Sequence, residues 1–364
     1  MNIQEDPFGC FGDSDDESSC CDDDSCNDLW QQGQRLQQAA NIRHSITGNN
    51  TSIKVDRIPM ICNSGFEVYS CSNQMGYKKG QFGVRAKRDY EAGEEIIREE
   101  PALRINSSMA ASNEEEATQK FKEAVQNAFD DLSPTTAKFI MELSSCRQQD
   151  KKGSSSKRTP YGIFQTNSFQ LEKNLGYGGI FLTIARMNHS CRPNAIHYWR
   201  PDLHMMVVHA GRDIAKGEEI CICYGPSAFY ETEGRRDYIR NKYFFHCICE
   251  MCQEGNTKGG DDRMAKIRAF HENISLEMFT RPEKVKEEVE NCLHLLQEQR
   301  IGHRKGHCVA PVLHYGFQAC MKLNNISLAC SYLERELVSI RSSQGDDSYK
   351  ALDIQNMLAK MKAC

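Results

Sequence analysis

The chain has 364 residues, enough for two or three domains, and its 39 % hydrophobic and 26 % charged residues are those of a soluble globular protein. No apolar run nears the ~18 residues that a membrane span needs, and the N-terminus lacks a basic-then-apolar leader pattern; these features exclude membrane and secreted classes and predict an intracellular protein. The net charge of −5 is uneven: residues 1–30 hold ten acids and no Lys or Arg, which leaves the rest of the chain at about +5, too little to argue direct nucleic-acid contact.

Residues 1–57 are rich in Asp, Ser, Gln and Asn, with few aliphatics and no sustained period. Such composition cannot bury enough apolar surface to fold, so a disordered acidic tail is predicted. Cys10, Cys20, Cys21 and Cys26 lie in it without a His or a paired CxxC, which makes them poor metal ligands. From 58 to about 105, and again from 177 to 224, the chain reads as short strands broken by glycine. Within these stretches "RDYEAGEEI" (88–96) is echoed by "RDIAKGEEI" (212–220). Each copy is a polar turn ending in Gly, followed by a strand that opens Glu-Glu-Ile. Two copies are too few for a solenoid; two similar hairpins in one β-rich domain are expected.

Between the copies, residues of about 106–165 form a predicted helical insert. Phe121, Val125 and Phe129 recur every four residues, as one helix face requires, and Ser133-Pro134 is a helix start. "KKGSSSKR" (151–158) reads as a solvated basic loop or an import signal. From 253 to 364 the pattern is helical, and "HCVAPVLHYGFQACMKLNNISLACSYLERELVSI" (307–340) suggests a helix-turn-helix pair with Ala and Cys where the helices touch, as in a tetratricopeptide-like bundle. Its predicted role is packing and partner binding.

Three stretches carry candidate chemistry. Cys247, Cys249 and Cys252 have the CxCxxC spacing that lets three thiolates converge on one Zn²⁺. A structural zinc takes four ligands; His246 is too close in sequence to reach the same tetrahedron, and Cys191 of "RMNHSCRPN" (186–194) is the best candidate for the fourth. The alternative is a set of buried cysteines with no metal. In a reducing compartment the 18 cysteines are thiols or ligands rather than disulfides, and the Asn188-His189-Ser190 sequon goes unused. In "NKYFFHC", residues 243, 245 and 247 share a face if the segment is extended, so the metal would aim Tyr243 and Phe245. "GEEICICYGP" (217–226) reads as a strand with Ile220 and Ile222 on one side and Cys221 and Cys223 on the other, ending at Tyr224 before a Gly-Pro break.

Taken in order, "KKGQFGVRA" (78–86), "TNSF" (166–169), "MNHSCRPN" (187–194), "GEEICICYGP" and "RRDYIRNKYFFHCICEMC" (235–252) resemble the SET-domain protein-lysine methyltransferases. The closest pattern is the SET-and-MYND group. The resemblance covers residues 58–252 and, more loosely, the helical C-terminus. It departs at the glycine turn, which is one residue longer than the family's, and in the MYND finger, for which "EEPALRI" runs straight into helix.

The resemblance implies an α+β protein: a β-rich SET fold with a pseudoknot and a post-SET zinc site, then a C-terminal α-helical, tetratricopeptide-like domain. It implies S-adenosylmethionine and structural zinc as cofactors. Carried over residue by residue, Asn188 and His189 face the cofactor, Lys79, Gly80 and Gly83 hold its methionine end, Asn167 contacts it, and Phe245 flanks the adenine. Tyr243 and Phe245 line the substrate channel, Tyr224 is the catalytic tyrosine, and Cys191 joins Cys247, Cys249 and Cys252 on the metal. The implied reaction is methyl transfer to the ε-amine of a lysine, on a histone or another protein, in the nucleus or cytoplasm. The enzyme is expected to act as a monomer without membrane or nucleic acid. The competing reading is a catalytically silent SET-like scaffold acting in transcription regulation.

Overall fold

The computed structural model describes residues 64–71, 81–106, 112–145, 158–172, 176–225, 230–300 and 308–363. The acidic tail, Lys79, Gly80 and residues 151–157 lie outside the described residues. The first part of the described chain is built from short strands in three small sheets. One has the order β1 (Phe66–Ser70), β2 (Phe82–Ala86), β10 (Glu219–Ile222), β7 (Asn188–His189); the second β3 (Glu95–Glu99), β9 (Met205–Ala210), β8 (Ala195–Arg200); the third β4 (Leu103–Asn106), β6 (Tyr177–Ile180), β5 (Phe169–Glu172). Their shared core holds Phe66, Val84, Ile97, Phe181, Met187, Met206, Val208, Ile220 and Ile222. All pairings are antiparallel except β7 with β10, which run parallel with Asn188 opposite Cys221 and His189 opposite Ile222.

The repeated turns are not two hairpins. β2 pairs with β10 and β3 pairs with β9, so each copy's strands find their partners in the other copy. The exchange is reciprocal to single bonds. Tyr90 and Ile214 exchange both backbone hydrogen bonds at 2.9 Å. The Ala92 N–H donates to Asp213 Oδ1 (2.9 Å), and the Lys216 N–H to Asp89 Oδ1 (2.7 Å). Arg88 pairs with Glu94 (2.5 Å) as Arg212 pairs with Glu218 (2.6 Å). Gly93 and Gly217 take φ of +93° and +87°, left-handed values that favour glycine. Two chain segments related in this way bury their apolar Ile positions against a common core, which a lone hairpin of either copy could not cover.

Between β4 and β5 the described residues form three helices. Helix α1 (Glu114–Asp130) is capped by Asn113 and buries Val125, and α2 (Pro134–Met141) starts from an N-cap Ser133 with Pro at the first turn. Both pack with α3 (Pro160–Asn167) over a core of Leu103, Ile140, Ile163 and Phe164. C-terminal to the sheets come α4 (Thr232–Tyr243), α5 (Glu250–Glu254), α6 (Gly260–Thr280), α7 (Pro282–Glu298), α8 (Val309–Lys322), α9 (Ile326–Gln344) and α10 (Tyr349–Ala363). The predicted pair is α8 and α9. A Cβ on Gly316 would lie 2.7 Å from the Tyr332 ring, and Ala319, Cys320 and Ala329 are buried beside it, so small side chains let these helices close up. The bundle docks on the strands through buried Arg200, whose guanidinium joins Asp202 and Asp347. It also docks through Gly93, where an added Cβ would come within 3.2 Å of Ser342 in α9.

Candidate active site and metal centre

The four predicted metal ligands meet. Cys191, Cys247, Cys249 and Cys252 place their sulfurs within 4.8 Å of one another. Cys191 Sγ lies 3.9 Å from that of Cys247 and 3.6 Å from that of Cys252. Four Zn–S bonds of ~2.3 Å in a tetrahedron give edges of about 3.8 Å, so the donor set has the right size as well as the right chemistry. Packed this tightly, the Cys191 thiol is pushed far up by its contacts with Cys247, Cys249 and Cys252. The Cys249 thiol is pulled far down because its neighbours, Cys191 first, donate to it. Four thiols so placed ionise together only around a cation.

The metal loop is braced from both sides. Arg192, nearly buried, reaches Glu254 (2.8 Å), Glu250 (3.4 Å) and the Gln299 carbonyl (3.1 Å), so α5 and the end of α7 hold the residue next to Cys191. Asn194 accepts the Cys221 N–H (2.7 Å) and donates to Glu218 and to the Glu219 carbonyl. Upstream, Glu99 at the end of β3 accepts the N–H groups of Thr183 (2.8 Å) and Ile184 (3.0 Å). That carboxylate thereby caps the 3-10 turn Ile184–Arg186 that leads into Asn188. Burial raises the Glu99 pKa to about 7.

His189 connects the cysteine cluster to Tyr224. Its Nδ1 accepts the Tyr224 backbone N–H (3.1 Å), which leaves the ring proton on Nε2, 3.3 Å from Cys191 Sγ. A histidine donating to a ligand sulfur steadies the metal from outside its coordination shell. Burial lowers the His189 pKa to about 4, so the ring is neutral. Both ring nitrogens are thus committed within the chain; any ligand contact by His189 comes from its backbone or ring face.

Tyr224 stands at the centre of an aromatic group. Its ring centroid lies 5.3 Å from His189 and 5.0 Å from Tyr243, and Phe245 is 6.3 Å from His189. The Tyr224 hydroxyl donates to the Met187 carbonyl (2.8 Å), and the Tyr243 hydroxyl donates to the Tyr224 carbonyl (2.9 Å). Burial pushes the Tyr224 phenol above its ordinary value, so it is a neutral hydrogen-bonding group rather than a base. The route by which Tyr243 and Phe245 arrive differs from expectation. Tyr243 ends α4, and Phe244 caps that helix in the left-handed region with φ +58°. The segment is not extended; a reversal of the chain, not a shared strand face, brings Tyr243 to Tyr224 and Phe245 to His189.

Beside this group lies a polar cradle. Asn188 Nδ2 donates to Glu219 Oε1 (2.7 Å) and to the Phe82 carbonyl (3.2 Å). A Cβ on Gly83 would come within 2.6 Å of Glu219 Oε1, 2.9 Å of Cys71 Sγ and 3.0 Å of Asn188 Nδ2. A side chain there would push the Glu219 carboxylate and Cys71 aside, so glycine keeps the cradle as it stands. Asn167, the remaining predicted contact, ends α3 with its amide donating to the carbonyls of Ser144 (2.6 Å) and Ile163 (2.7 Å); those bonds tie it to the insert. Glu219, Cys71, Arg192, Asn194 and Glu99 were not singled out from sequence. The doubled Glu of the repeat was the one signal that pointed toward Glu219.

Comparison with known proteins agrees with this geometry. Residues 81–225 match the SET domain family. Over 279 residues the chain is 27 % identical to the histone-lysine N-methyltransferase set5 of Schizosaccharomyces pombe, covering 75 % of this chain and 78 % of that protein. It is 39 % identical over 105 residues to the human N-lysine methyltransferase SMYD2, covering 28 % of this chain and 23 % of SMYD2. It is 23 % identical over 244 residues to the zebrafish (Danio rerio) protein-lysine N-methyltransferase SMYD4, covering 46 % of this chain and 31 % of that protein. The chain thus spans most of set5 but under a third of the two SMYD proteins. With its strands, cysteine cluster and helical C-terminus arranged as above, the chain carries a SET domain over residues 81–225 and is similar to the protein-lysine methyltransferases of the set5 and SMYD groups.

Proposed function

We propose that the chain is an S-adenosylmethionine-dependent protein-lysine methyltransferase acting inside the cell, on a histone or non-histone protein. The observation that carries this is the convergence of Tyr224, Asn188, His189, Gly83 and the four-cysteine cluster at one end of β10. Asn188 and the backbone at Gly83 would hold the methionine end of the cofactor, with Lys79 and Gly80 just upstream. Phe245 would flank the adenine, and Asn167 would approach from the insert. When bound, S-adenosylmethionine supplies a sulfonium methyl for in-line transfer to an amine.

The chain's own residues prepare the acceptor. A lysine in water has a pKa near 10.4 and is mostly protonated; the apolar faces of Tyr224 and Tyr243 disfavour the charged form, and its proton leaves to water. The Tyr224 hydroxyl, fixed by the Met187 carbonyl, orients the amine, and alignment of this kind lowers barriers by roughly 7–11 kcal/mol in favourable systems. The four-cysteine site is structural: with every position filled by protein, zinc there has none open for water. It fastens the Cys191 loop to the segment that carries Phe245. Among the described residues no helix is long and apolar enough to cross a membrane.

Incubation with isotopically labelled S-adenosylmethionine and a lysate, followed by mass spectrometry, is expected to find label on protein lysines. Tyr224→Phe should abolish it while zinc content is kept. Full activity in that variant would remove Tyr224 from the mechanism, and absence of cofactor binding at ~100 µM, far above the affinity a working site needs, would favour the scaffold reading.

A further inference from the structure

The two copies of the repeat supply an internal control. Within each turn the first glutamate does the same work: Glu94 takes the Glu91 N–H and Arg88, and Glu218 takes the Ala215 N–H and Arg212. The second glutamates diverge. Glu95 makes a half-exposed pair with Arg98 on its own strand. Glu219 instead turns its carboxylate onto Asn188, across the parallel β7–β10 pairing. The turn therefore does not require the second glutamate's bond; the bond from Glu219 answers a need of the site.

We infer that Glu219 is a positioning residue that fixes the orientation of the Asn188 carboxamide, so that the amide oxygen is presented to the cationic amino end of the cofactor. This rests on the cofactor reading above. A side-chain amide can sit in two orientations that differ by exchange of its N and O. Here the Nδ2 N–H groups face three acceptors, Glu219 Oε1 at 2.7 Å, the Phe82 carbonyl at 3.2 Å and the softer Cys71 Sγ at 3.7 Å, and the bond to the carboxylate is charge-assisted and the strongest. With these acceptors on the Nδ2 side, the oxygen faces the other. Loss of the Glu219 acceptor frees the amide to turn its N–H groups toward a positively charged ligand, which repels them.

The test is a binding cycle on the full chain, read by calorimetry with S-adenosylmethionine and S-adenosylhomocysteine, with KM and kcat measured alongside. Glu219→Leu should weaken cofactor binding by about tenfold or more, the scale of one charge-assisted hydrogen bond, and raise KM with little change in kcat. Glu219→Gln keeps an acceptor and should stay within about threefold of wild type. Asn188→Asp sets two carboxylates together and should bind poorly. The double variant Asn188→Asp/Glu219→Gln restores a donor–acceptor pair of reversed polarity and should recover most of the affinity. Glu95→Leu, the same position in the other copy, should leave binding unchanged.

If Glu219→Leu binds like wild type, or the double variant binds no better than Asn188→Asp alone while melting temperature and zinc content match wild type, the inference falls. Should Glu219→Leu fail to fold, the Asn188→Asp pair decides the matter by itself. No cofactor binding by the wild-type chain overturns the functional reading and this inference together.

Discussion

The two copies of the RD-x-x-x-GEEI turn share four bonding features and a left-handed glycine, and lead to different ends. After the first, β3 runs antiparallel beside β9, the strand on which α9 packs. After the second, β10 takes a short parallel partner in β7, and with it Asn188, His189 and the cysteine loop. The turns give the domain its internal two-fold frame, and what is threaded beside one copy turns half of that frame into a site. A repeated sequence fixes local geometry; the neighbour supplied by topology decides what that geometry is used for.

The sharpest way to break the comparison is to remove the metal. Chelation, or Cys191→Ser, should abolish cofactor binding. It should lower the melting temperature by on the order of 10 °C, the scale of a ~3 kcal/mol loss in a domain of this size. Hydrogen exchange should speed up in residues 187–194 and 244–254 but not in 88–98. Equal loosening of both copies would mean that the frame, not the threaded segment, depends on the metal.

The glycines come next. An alanine at Gly93 or Gly217 meets left-handed backbone, which costs roughly 1–2 kcal/mol. At Gly217 a Cβ has nothing within 4 Å, whereas at Gly93 it presses on the Ser342 backbone of α9 at 3.3 Å. Gly93→Ala should therefore destabilise more than Gly217→Ala in denaturant melts, and the excess should shrink if α9 is detached. Smaller still are the reciprocal aspartates: Asp89→Ala and Asp213→Ala each remove one exposed backbone bond. They should cost about 0.5–1.5 kcal/mol apiece, alike within error if the two-fold relation is real.

The last effect crosses between the halves. Glu99 ends the strand of the first copy yet caps the turn that leads to Asn188, and its pKa is raised to about 7. A carboxyl whose folded pKa lies above its unfolded one favours the folded state at low pH, and that advantage is lost as pH rises from the usual carboxylate range through about 7. Melting temperature should fall over that window in wild type and fall less in Glu99→Gln. Identical pH profiles would show that the Thr183 and Ile184 N–H groups hold the ionised form without penalty.

Much of this site was legible from residue types alone. Thiols at CxCxxC spacing need a fourth partner, and Cys191 supplies it; Ser133-Pro134 starts a helix because its hydroxyl and fixed φ suit one. Strand alternation predicts Tyr243 and Phe245 near the cysteine cluster, and a reversal at a left-handed Phe244 brings them there by another route. The turn repeat was recognised while its pairing was mistaken, because a strand's hydrogen-bond partners are not encoded in its own period.

The sequence by itself determined the periodicities, the caps, the CxCxxC spacing and the make-up of each motif, all of which depend on residues close together along the chain. Only the tertiary structure decided that the two turns exchange strands, that the His189 ring spans Cys191 and the Tyr224 backbone, and that Glu219 rather than Glu95 meets an asparagine. Apart from His189 to Cys191, two positions away, those contacts join residues 31 to 121 positions apart. Hydrogen bonds act over about 3 Å, so which groups come that close is settled by how the chain threads and packs.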